Sequence, residues 1–220
     1  GFLTLLEIDP QLVKWLSIFF AEAENVEILL QDALTFDFPG HCRQKQKEAY
    51  KVVANLPYYI TSDLIEQLLV KGGNWQSMTL MMQKEAAARL LAPAGSKDYG
   101  PLNLRIAYFA EAEEFLQVPP ESFYPQPPVQ SSVIFLRRRQ KPPVDIKNEK
   151  LFFMIIEAAL TQRRKTILNN LANSSLGLNK PLWQEVLLSC NIDSKRRGET
   201  LTLTEFASIA NAIDEELDCQ

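Results

Sequence analysis

The sequence has few of the residues that build metal sites, disulfide frameworks and histidine-dependent active sites. Among its 220 residues are three cysteines, with no CxxC pair, and a single histidine, His41. A structural zinc site draws its four ligands from closely spaced pairs, whereas these three cysteines lie far apart, and a disulfide framework uses an even number of cysteines. We therefore expect no bound metal and reduced thiols. A Ser–His or Cys–His catalytic pair is not expected either, because His41 lies in the polar stretch Gly40–Ala49, which we predict to be a loop.

Long apolar runs are also missing. A helix that spans a bilayer needs about 20 consecutive apolar residues, whereas Lys, Glu or Gln interrupts every apolar stretch here within a few positions. The first residues lack the basic segment and the small-residue cleavage site of a signal peptide. With 46% hydrophobic and 23% charged residues, the composition is that of an ordinary globular protein. We expect a cytoplasmic, monomeric protein that has no membrane partner.

The distribution of charge leaves two interpretations open. A net charge of −4 argues mildly against a nucleic-acid partner, because phosphate binding needs basic surface. However, the C-terminal half contains three basic clusters, at 137–141, 163–165 and 195–197. Each cluster alone is typical of a solvated face. Together they also fit an electrostatic surface for a polyanion.

Strand and helix patterns alternate as far as the proline-containing segment Lys141–Lys147, which we predict to be a linker. Alternation of this kind indicates an α/β domain with a mostly parallel sheet, whose ligands bind beyond the carboxyl ends of the strands. After the linker the pattern is purely helical, and Thr202-Leu-Thr-Glu205 matches a capping box that opens a last helix. We predict an α/β domain over residues 1–143 and a small all-α domain over residues 144–220.

The segment Asn55-Leu56-Pro57-Tyr58 follows a predicted strand and carries groups that suit methylation of an exocyclic amino group. Such a nitrogen is a poor nucleophile, and acceptors for both of its N–H groups would draw it towards tetrahedral geometry. Asn55 offers a side-chain oxygen and Leu56 a backbone carbonyl. Pro57 restricts the backbone so that both oxygens can point into one site. Tyr58 offers a π-face for a base removed from its stack and for a transient cation. The alternative interpretation is purely structural: a strand that ends in a proline turn with aromatic packing would contain the same residues.

Val-Ala-Asn-Leu-Pro-Tyr-Tyr-Ile-Thr at 53–61 resembles the catalytic motif of the ribosomal RNA adenine N6,N6-dimethyltransferase family. The resemblance runs from Leu5 to Ile213 and implies a Rossmann-like domain that uses S-adenosylmethionine (SAM) as methyl donor. Leu6-Glu7-Ile8-Asp9 resembles an acidic strand end, which implies that Glu7 binds the ribose hydroxyls and Ile8 packs on the adenine of SAM. Gln31-Asp32-Ala33-Leu34 resembles the motif whose Asp bonds the adenine amino group. Asp32, Ala33 and Asn55 are therefore also expected at the cofactor.

Further segments carry the same resemblance. The stretch 118–129 resembles the late motif whose aromatic residue, here Phe123, sandwiches the target base opposite Tyr58. Met82-Gln83-Lys84-Glu85 and Ser96-Lys-Asp-Tyr-Gly100 are similar to other family segments. Each of these residues has a simpler interpretation when it is taken alone: an acid after a strand is often a helix cap, and a Phe is often core.

The resemblance also bears on the substrate. Leu160–Ile167 and Asn191–Leu201 are similar to the enzymes that modify a pair of adjacent adenosines in the 3′-terminal hairpin of small-subunit rRNA, within a pre-ribosomal particle. Arg163, Arg164 and Lys165 are then candidates for phosphate contact, and an N-cap or interdomain role fits them equally. Two alternatives stay open. One is a macrolide-resistance type enzyme that modifies large-subunit rRNA, and the other is a non-enzymatic ribosome-assembly or transcription factor that keeps the fold.

The sequence departs from the family in lacking a GxGxG loop, which brings backbone close to SAM. Gly1-Phe-Leu-Thr4 resembles only the end of that motif and the start of its helix, which makes Gly1 a candidate cofactor contact. The ribose-binding acid should follow the glycines by about 20 residues, yet Glu7 follows Gly1 by six positions. We therefore expect that upstream sequence is absent and that roughly ten residues are missing between Thr4 and Leu5, on the same spacing.

Overall fold

The computed structural model describes residues 1–57 and 59–218, and its order of elements confirms the predicted α/β class. The described strands are β1 (Leu3–Glu7), β2 (Val26–Leu30), β3 (Tyr50–Asn55), β4 (Trp75–Gln83), β5 (Ala110–Val118) and β6 (Ser131–Arg138). The described α-helices are α1 (Pro10–Phe19), α2 (Phe38–Gln44), α3 (Thr61–Lys71), α4 (Lys84–Leu90), α5 (Pro101–Phe109), α6 (Glu149–Leu160), α7 (Ile167–Ala172), α8 (Lys180–Ser189) and α9 (Leu203–Asp218). No described helix is long and apolar enough to cross a membrane.

The chain divides into two compact units, which are described separately. The first comprises residues 1–51 and 59–75, and the second comprises the described residues of 52–58 and 76–220. The predicted domain boundary after residue 143 falls within the second unit and stays a prediction. A helical C-terminal region follows the last strand, as the loss of alternation indicates.

Strands β1 and β2 form the parallel sheet of the first unit. They pair residue by residue, from Leu3 opposite Val26 to Glu7 opposite Leu30. Helix α1 connects them, and it begins where the Asp9 side chain accepts a hydrogen bond from the backbone N–H of Gln11 at 2.8 Å. Because β1 begins at Leu3, the expected helix start at Gly1–Thr4 is wrong, whereas the expectation of missing residues before Leu5 stays a prediction.

The segment Gly40–Ala49, which we predicted to be a loop, contains most of helix α2. Asp37 caps this helix by accepting a hydrogen bond from Gly40 N at 2.9 Å, and a proline lies in its first turn, where its missing N–H costs nothing. His41 lies on this helix, with Nε2 2.9 Å from Thr4 Oγ1 and 3.4 Å from the carboxylate of Glu27. The polar composition gives no apolar pattern that would indicate a helix, and the capping residue Asp37 lies just before the segment.

The second unit contains a sheet with the strand order β3-β4-β6-β5. Strand β6 is antiparallel to both of its neighbours, so the prediction of a mostly parallel sheet is wrong for this edge. The physical reason lies in the connection 119–130 between β5 and β6. It contains no α-helix, and a return without a crossover helix produces antiparallel neighbours.

The helical region packs around its own apolar core. Phe152, Trp183, Phe206 and Ile209 are all fully buried there. Helix α9 opens with the predicted capping box, which the structure confirms: Glu205 N donates to Thr202 Oγ1 at 3.3 Å, and Thr202 N donates to the Glu205 carboxylate at 2.7 Å. This pair satisfies donors that a helix N-terminus leaves free.

Candidate functional site

The first unit brings together the acids that the sequence pattern assigned to the cofactor. Because β1 and β2 are parallel, their carboxyl ends lie at one edge. Glu7 is the last residue of β1 and pairs with Leu30, and its carbonyl accepts a hydrogen bond from Gln31 N at 2.9 Å. Asp32 follows one residue later. Two carboxylates therefore lie at the edge where open α/β sheets bind ligands.

In each of the two acids, Glu7 and Asp32, local backbone hydrogen bonds involve one carboxylate oxygen. Glu7 Oε1 accepts hydrogen bonds from Ile8 N at 2.8 Å and Asp9 N at 2.9 Å, which fixes the carboxylate. Within residues 1–57 and 59–218, no hydrogen bond reaches its second oxygen. Asp32 Oδ1 accepts from Leu34 N at 2.9 Å. Ile8 is 64% exposed, so an apolar side chain beside the acids is free to pack on a planar group.

The structure separates Gly1 from this edge. Gly1 precedes β1, whereas Glu7 ends it, and six residues of extended chain span about 20 Å. The carbonyl of Gly1 accepts a hydrogen bond from Asn25 Nδ2 at 3.0 Å, at the start of the strand pair. Gly1 therefore does not lie beside Glu7 or Asp32.

In the second unit, Asn55 ends β3 and Leu56 begins the turn that follows. Leu56 N donates to Met81 O at 2.9 Å, and the Leu56 side chain is buried, so the turn is fixed to β4. Asn55 is exposed, and no hydrogen bond in the described part of the chain uses its side-chain amide. Pro57 is exposed as well. Tyr58, the predicted stacking residue, lies outside the described residues.

Phe123 lies at the same edge of the four-stranded sheet as Asn55. Ser131 pairs with Gln83 at the end of β4 and with Val118 at the end of β5, so the carboxyl ends of these strands coincide. Phe123 is half-buried and follows a short 3-10 helix, Pro120–Ser122, in the connection 119–130. Strands β3 and β5 lie three positions apart, about 14 Å, so the connection that carries Phe123 begins three strand positions from Asn55.

The predicted phosphate contacts divide into two groups. The Arg163 guanidinium donates to the backbone carbonyls of Lys97 and Tyr99, which places it against the segment that follows α4. Arg164 and Lys165 are exposed, and neither side chain has a partner among the residues that the structure describes. Lys165 also lines a polar cavity of about 940 Å³ with Gln162 and other residues of α6, α7 and the loops beside them.

Sequence reasoning missed how the Phe123 connection is held. Lys84 Nζ lies 3.0 Å from Gln117 Oε1 and 3.0 Å from Gln130 Oε1. The similarity of 82–85 to a family segment marked this position but gave no role for it. Its partners are 33 and 46 residues away in the chain, beyond the reach of any local pattern.

The strand order and the acids at the carboxyl ends of the strands are those of a Rossmann-like α/β protein, and comparison with solved structures agrees on this fold. A dimethyladenosine transferase from Plasmodium falciparum superposes with a TM-score of 0.80 at 22% identity, over 97% of this chain and 82% of that one. The 23S rRNA methyltransferase ErmE superposes with a TM-score of 0.68 at 23% identity, over 96% of this chain and 81% of that one. At these identities the likeness shows the fold.

The sequence model of the ribosomal RNA adenine dimethylase family matches residues 2–209, and the chain belongs to this family. Two curated relatives are named ribosomal RNA small subunit methyltransferase A. The protein from Pelotomaculum thermopropionicum is 43% identical over 97% of this chain and 75% of its own length. The protein from Geobacillus kaustophilus is 43% identical over 94% of this chain and 72% of its own length. The family resemblance and the Rossmann-like fold class that the motifs predicted are thus confirmed.

Proposed function

We propose that this protein transfers methyl groups from SAM to N6 of two adjacent adenosines in the 3′-terminal hairpin of small-subunit rRNA. The product is N6,N6-dimethyladenosine, formed on a pre-ribosomal particle in the cytoplasm by a monomeric enzyme. One observation carries the proposal: relatives named for small-subunit methylation share 43% identity over at least 94% of the chain. The second carboxylate oxygen of Glu7 and the side-chain oxygen of Asn55, which have no partner within residues 1–57 and 59–218, give it a chemical basis.

The carboxyl edge of β1 and β2 would hold the cofactor. The free Glu7 oxygen can accept hydrogen bonds from vicinal ribose hydroxyls, and Asp32 can accept one from an adenine amino group. Ile8 and Ala33 offer apolar surface for the ring. When bound, SAM supplies an electrophilic methyl group on a sulfonium. Gly1 has no part in this proposal because it lies at the other end of β1.

The turn after β3 would prepare the target nitrogen. In the first transfer, Asn55 Oδ1 and the Leu56 carbonyl would each accept one N–H of N6, which draws the nitrogen towards tetrahedral geometry and frees its lone pair. That lone pair would bond to the methyl carbon as the bond from this carbon to the sulfonium sulfur breaks, which leaves a neutral thioether. In the second transfer one N–H of N6 remains to be accepted. Rings of Tyr58 and Phe123 would grip the base from two sides, at about 1–3 kcal/mol per stacked face. The nitrogen then loses a proton to water, so no strong general base is required.

Basic surface in the helical region would bind the RNA backbone. Arg164 and Lys165 are exposed and unpaired within the described part of the chain, which suits phosphate contact. Arg163 is engaged with two backbone carbonyls, so we assign it mainly to holding the segment 97–99. The sequence left two roles open for the cluster 163–165, namely phosphate contact and an N-cap or interdomain contact, and this proposal divides them between its residues.

Asn55→Ala tests the chemistry at the proposed site. Loss of one positioned hydrogen-bonding group at a reacting centre lowers kcat by about 100-fold or more. Full-length protein with labelled SAM and immature small subunits should show this loss. Asn74→Ala is the matched control, because Asn74 is exposed and, within the residues that the structure describes, its amide donates only to Glu48 O. The kcat of this variant should stay within about twofold of wild type, as expected for a surface change.

The outcomes separate the alternatives. An Asn55→Ala protein that binds pre-ribosomes and leaves methylation unchanged contradicts the proposed chemistry. Wild-type protein that binds small subunits without transferring methyl groups favours a non-enzymatic assembly factor. Transfer to large-subunit RNA in preference to small-subunit RNA favours the macrolide-resistance type, whose fold ErmE shares.

A further inference from the structure

Lys84 contacts both ends of the connection that carries Phe123. It follows β4 directly and opens α4, at the sheet edge where β5 ends and β6 begins. Its backbone N donates to Gln130 O at 3.0 Å. Its Nζ lies 3.0 Å from the side-chain oxygens of both Gln117 and Gln130. One residue therefore makes three hydrogen bonds that close the base of the connection 119–130.

A β-bulge brings an acid into the same network. Glu114 pairs with Ile134 and Gln117 pairs with Ser132, and the extra residue between them, Phe115, has no opposite partner. Without the bulge, side chains three positions apart would point to opposite faces. With it, Glu114 and Gln117 lie on one face. The Glu114 carboxylate accepts hydrogen bonds from Ser132 Oγ at 2.6 Å and Gln117 Nε2 at 3.1 Å.

The network uses most of the binding capacity of the Lys84 ammonium group. An ammonium has three N–H donors, and two of them meet amide oxygens here. The Glu114 carboxylate belongs to the same network, and its pKa is lowered by the Ser132 and Gln117 hydrogen bonds and further by the charge of Lys84. A cation that is already bonded and balanced in this way suits a structural contact better than a phosphate contact.

We propose that Lys84 is a positioning residue that fixes the two ends of the connection 119–130 and thereby sets where Phe123 presents its ring. Fixing both ends reduces the conformations open to the segment between them. The functional consequence rests on the proposed role of Phe123 in stacking the target base, whereas the hydrogen-bonded tether stands on the contacts alone. A displacement of about 1 Å at a reacting centre lowers rates by about 100-fold.

Lys84→Met in the full-length protein tests the tether because it removes the charge and the donors but keeps the chain length. Amide hydrogen exchange in 119–130 should accelerate, and kcat should fall by about 10- to 100-fold. KM for the RNA and Kd for SAM should stay within about twofold of wild type, because the reacting geometry is lost rather than the binding surface. Lys84→Arg, which can still donate to both amides, should recover most of the kcat.

Two further variants sharpen the result. Lys150→Met is the matched control: Lys150 is an exposed lysine on α6, and its loss should change neither exchange in 119–130 nor kcat. Gln117→Leu combined with Lys84→Met should lower kcat little beyond the larger single effect, because residues of one network are non-additive.

Unchanged exchange and unchanged kcat in Lys84→Met, with wild-type protein active, would overturn the tether. The slope of the logarithm of RNA affinity against the logarithm of salt concentration is a second readout. If its magnitude falls by about one in Lys84→Met, the tether is also overturned, because that fall is expected when one phosphate contact is lost. If wild-type protein transfers no methyl groups but Lys84→Met still accelerates exchange in 119–130, the tether is supported and the proposed function fails.

Discussion

Gly198→Ala is the substitution for which the structure gives the clearest expected cost. Gly198 is buried and opens a short 3-10 helix, Gly198–Thr200. A Cβ added there would lie 2.3 Å from the Ala159 carbonyl oxygen at the end of α6, whereas ordinary contact begins near 3.4 Å. The same oxygen accepts a hydrogen bond from the buried Asn170 Nδ2 at 2.7 Å. Backbone must therefore shift by roughly 1 Å, as overpacked cores do, and this hydrogen bond is strained with it.

The two effects set the magnitude. Overpacking costs about 1–3 kcal/mol, and weakening a buried hydrogen bond costs about 1–3 kcal/mol more. We expect the free energy of unfolding to fall by about 2–6 kcal/mol and Tm by roughly 4–24 °C for a chain of this length. Urea unfolding followed by circular dichroism, together with calorimetry, measures both quantities.

Gly100→Ala is the control for this prediction. Among the described residues a Cβ at Gly100 meets only Asn103 Oδ1 at 4.0 Å, and its backbone is extended. Gly100 is the N-cap of α5, so the free energy of unfolding should change by no more than about 1 kcal/mol, a typical cost at an N-cap. Equal stability of wild type and Gly198→Ala would refute the steric reasoning. It would show that the ends of α6 and of the 3-10 helix can separate freely.

Three further predictions concern the core, the pH dependence and the proposed site. Trp183 is fully buried, so Trp183→Ala should lower the free energy of unfolding by about 3–5 kcal/mol in urea titrations; a loss below about 1 kcal/mol would contradict this burial. The hydrogen bond from Arg196 is the main cause of the lowered pKa of Glu205, so its stabilisation is present above the ordinary pKa of 4.5 and is lost as the pH falls through the lowered value. The Tm difference between wild type and Glu205→Gln should therefore shrink below that pH, and a constant difference from pH 7 to pH 3 would count against it. Phe123→Ala should lower kcat by about 10- to 100-fold, in line with the loss of a stacked ring, whereas Phe123→Tyr should retain most of it; equal kcat values for the two variants would remove Phe123 from the base site.

Much of the fold could be predicted because local patterns specify it. The alternation of strands and helices up to the linker and the purely helical region after it agree with the sequence prediction, since apolar periodicity is a local signal. Helix α2 was missed because its composition is polar and it depends on Asp37, three residues before the expected loop, for its cap. The start of β1 was missed because its pairing with β2, more than twenty residues away, outweighs the local resemblance to a glycine motif.

The candidate site shows the same division between local and distant information. Asn55, Glu7 and Asp32 could be selected because each lies in a short motif at the end of a strand. The contacts of Lys84 and Arg163 could not, since they join positions 33 to 66 residues apart. The bulge at Phe115 was likewise invisible, because only the register with β6 reveals it.

The position of methylation in the RNA tests the central claim most directly. Full-length protein, labelled SAM and small subunits from cells that lack this modification should yield two methyl groups on N6 of each of two neighbouring adenosines near the 3′ end of the small-subunit rRNA. Saturable SAM binding without label at these adenosines, or label in large-subunit rRNA alone, would contradict it.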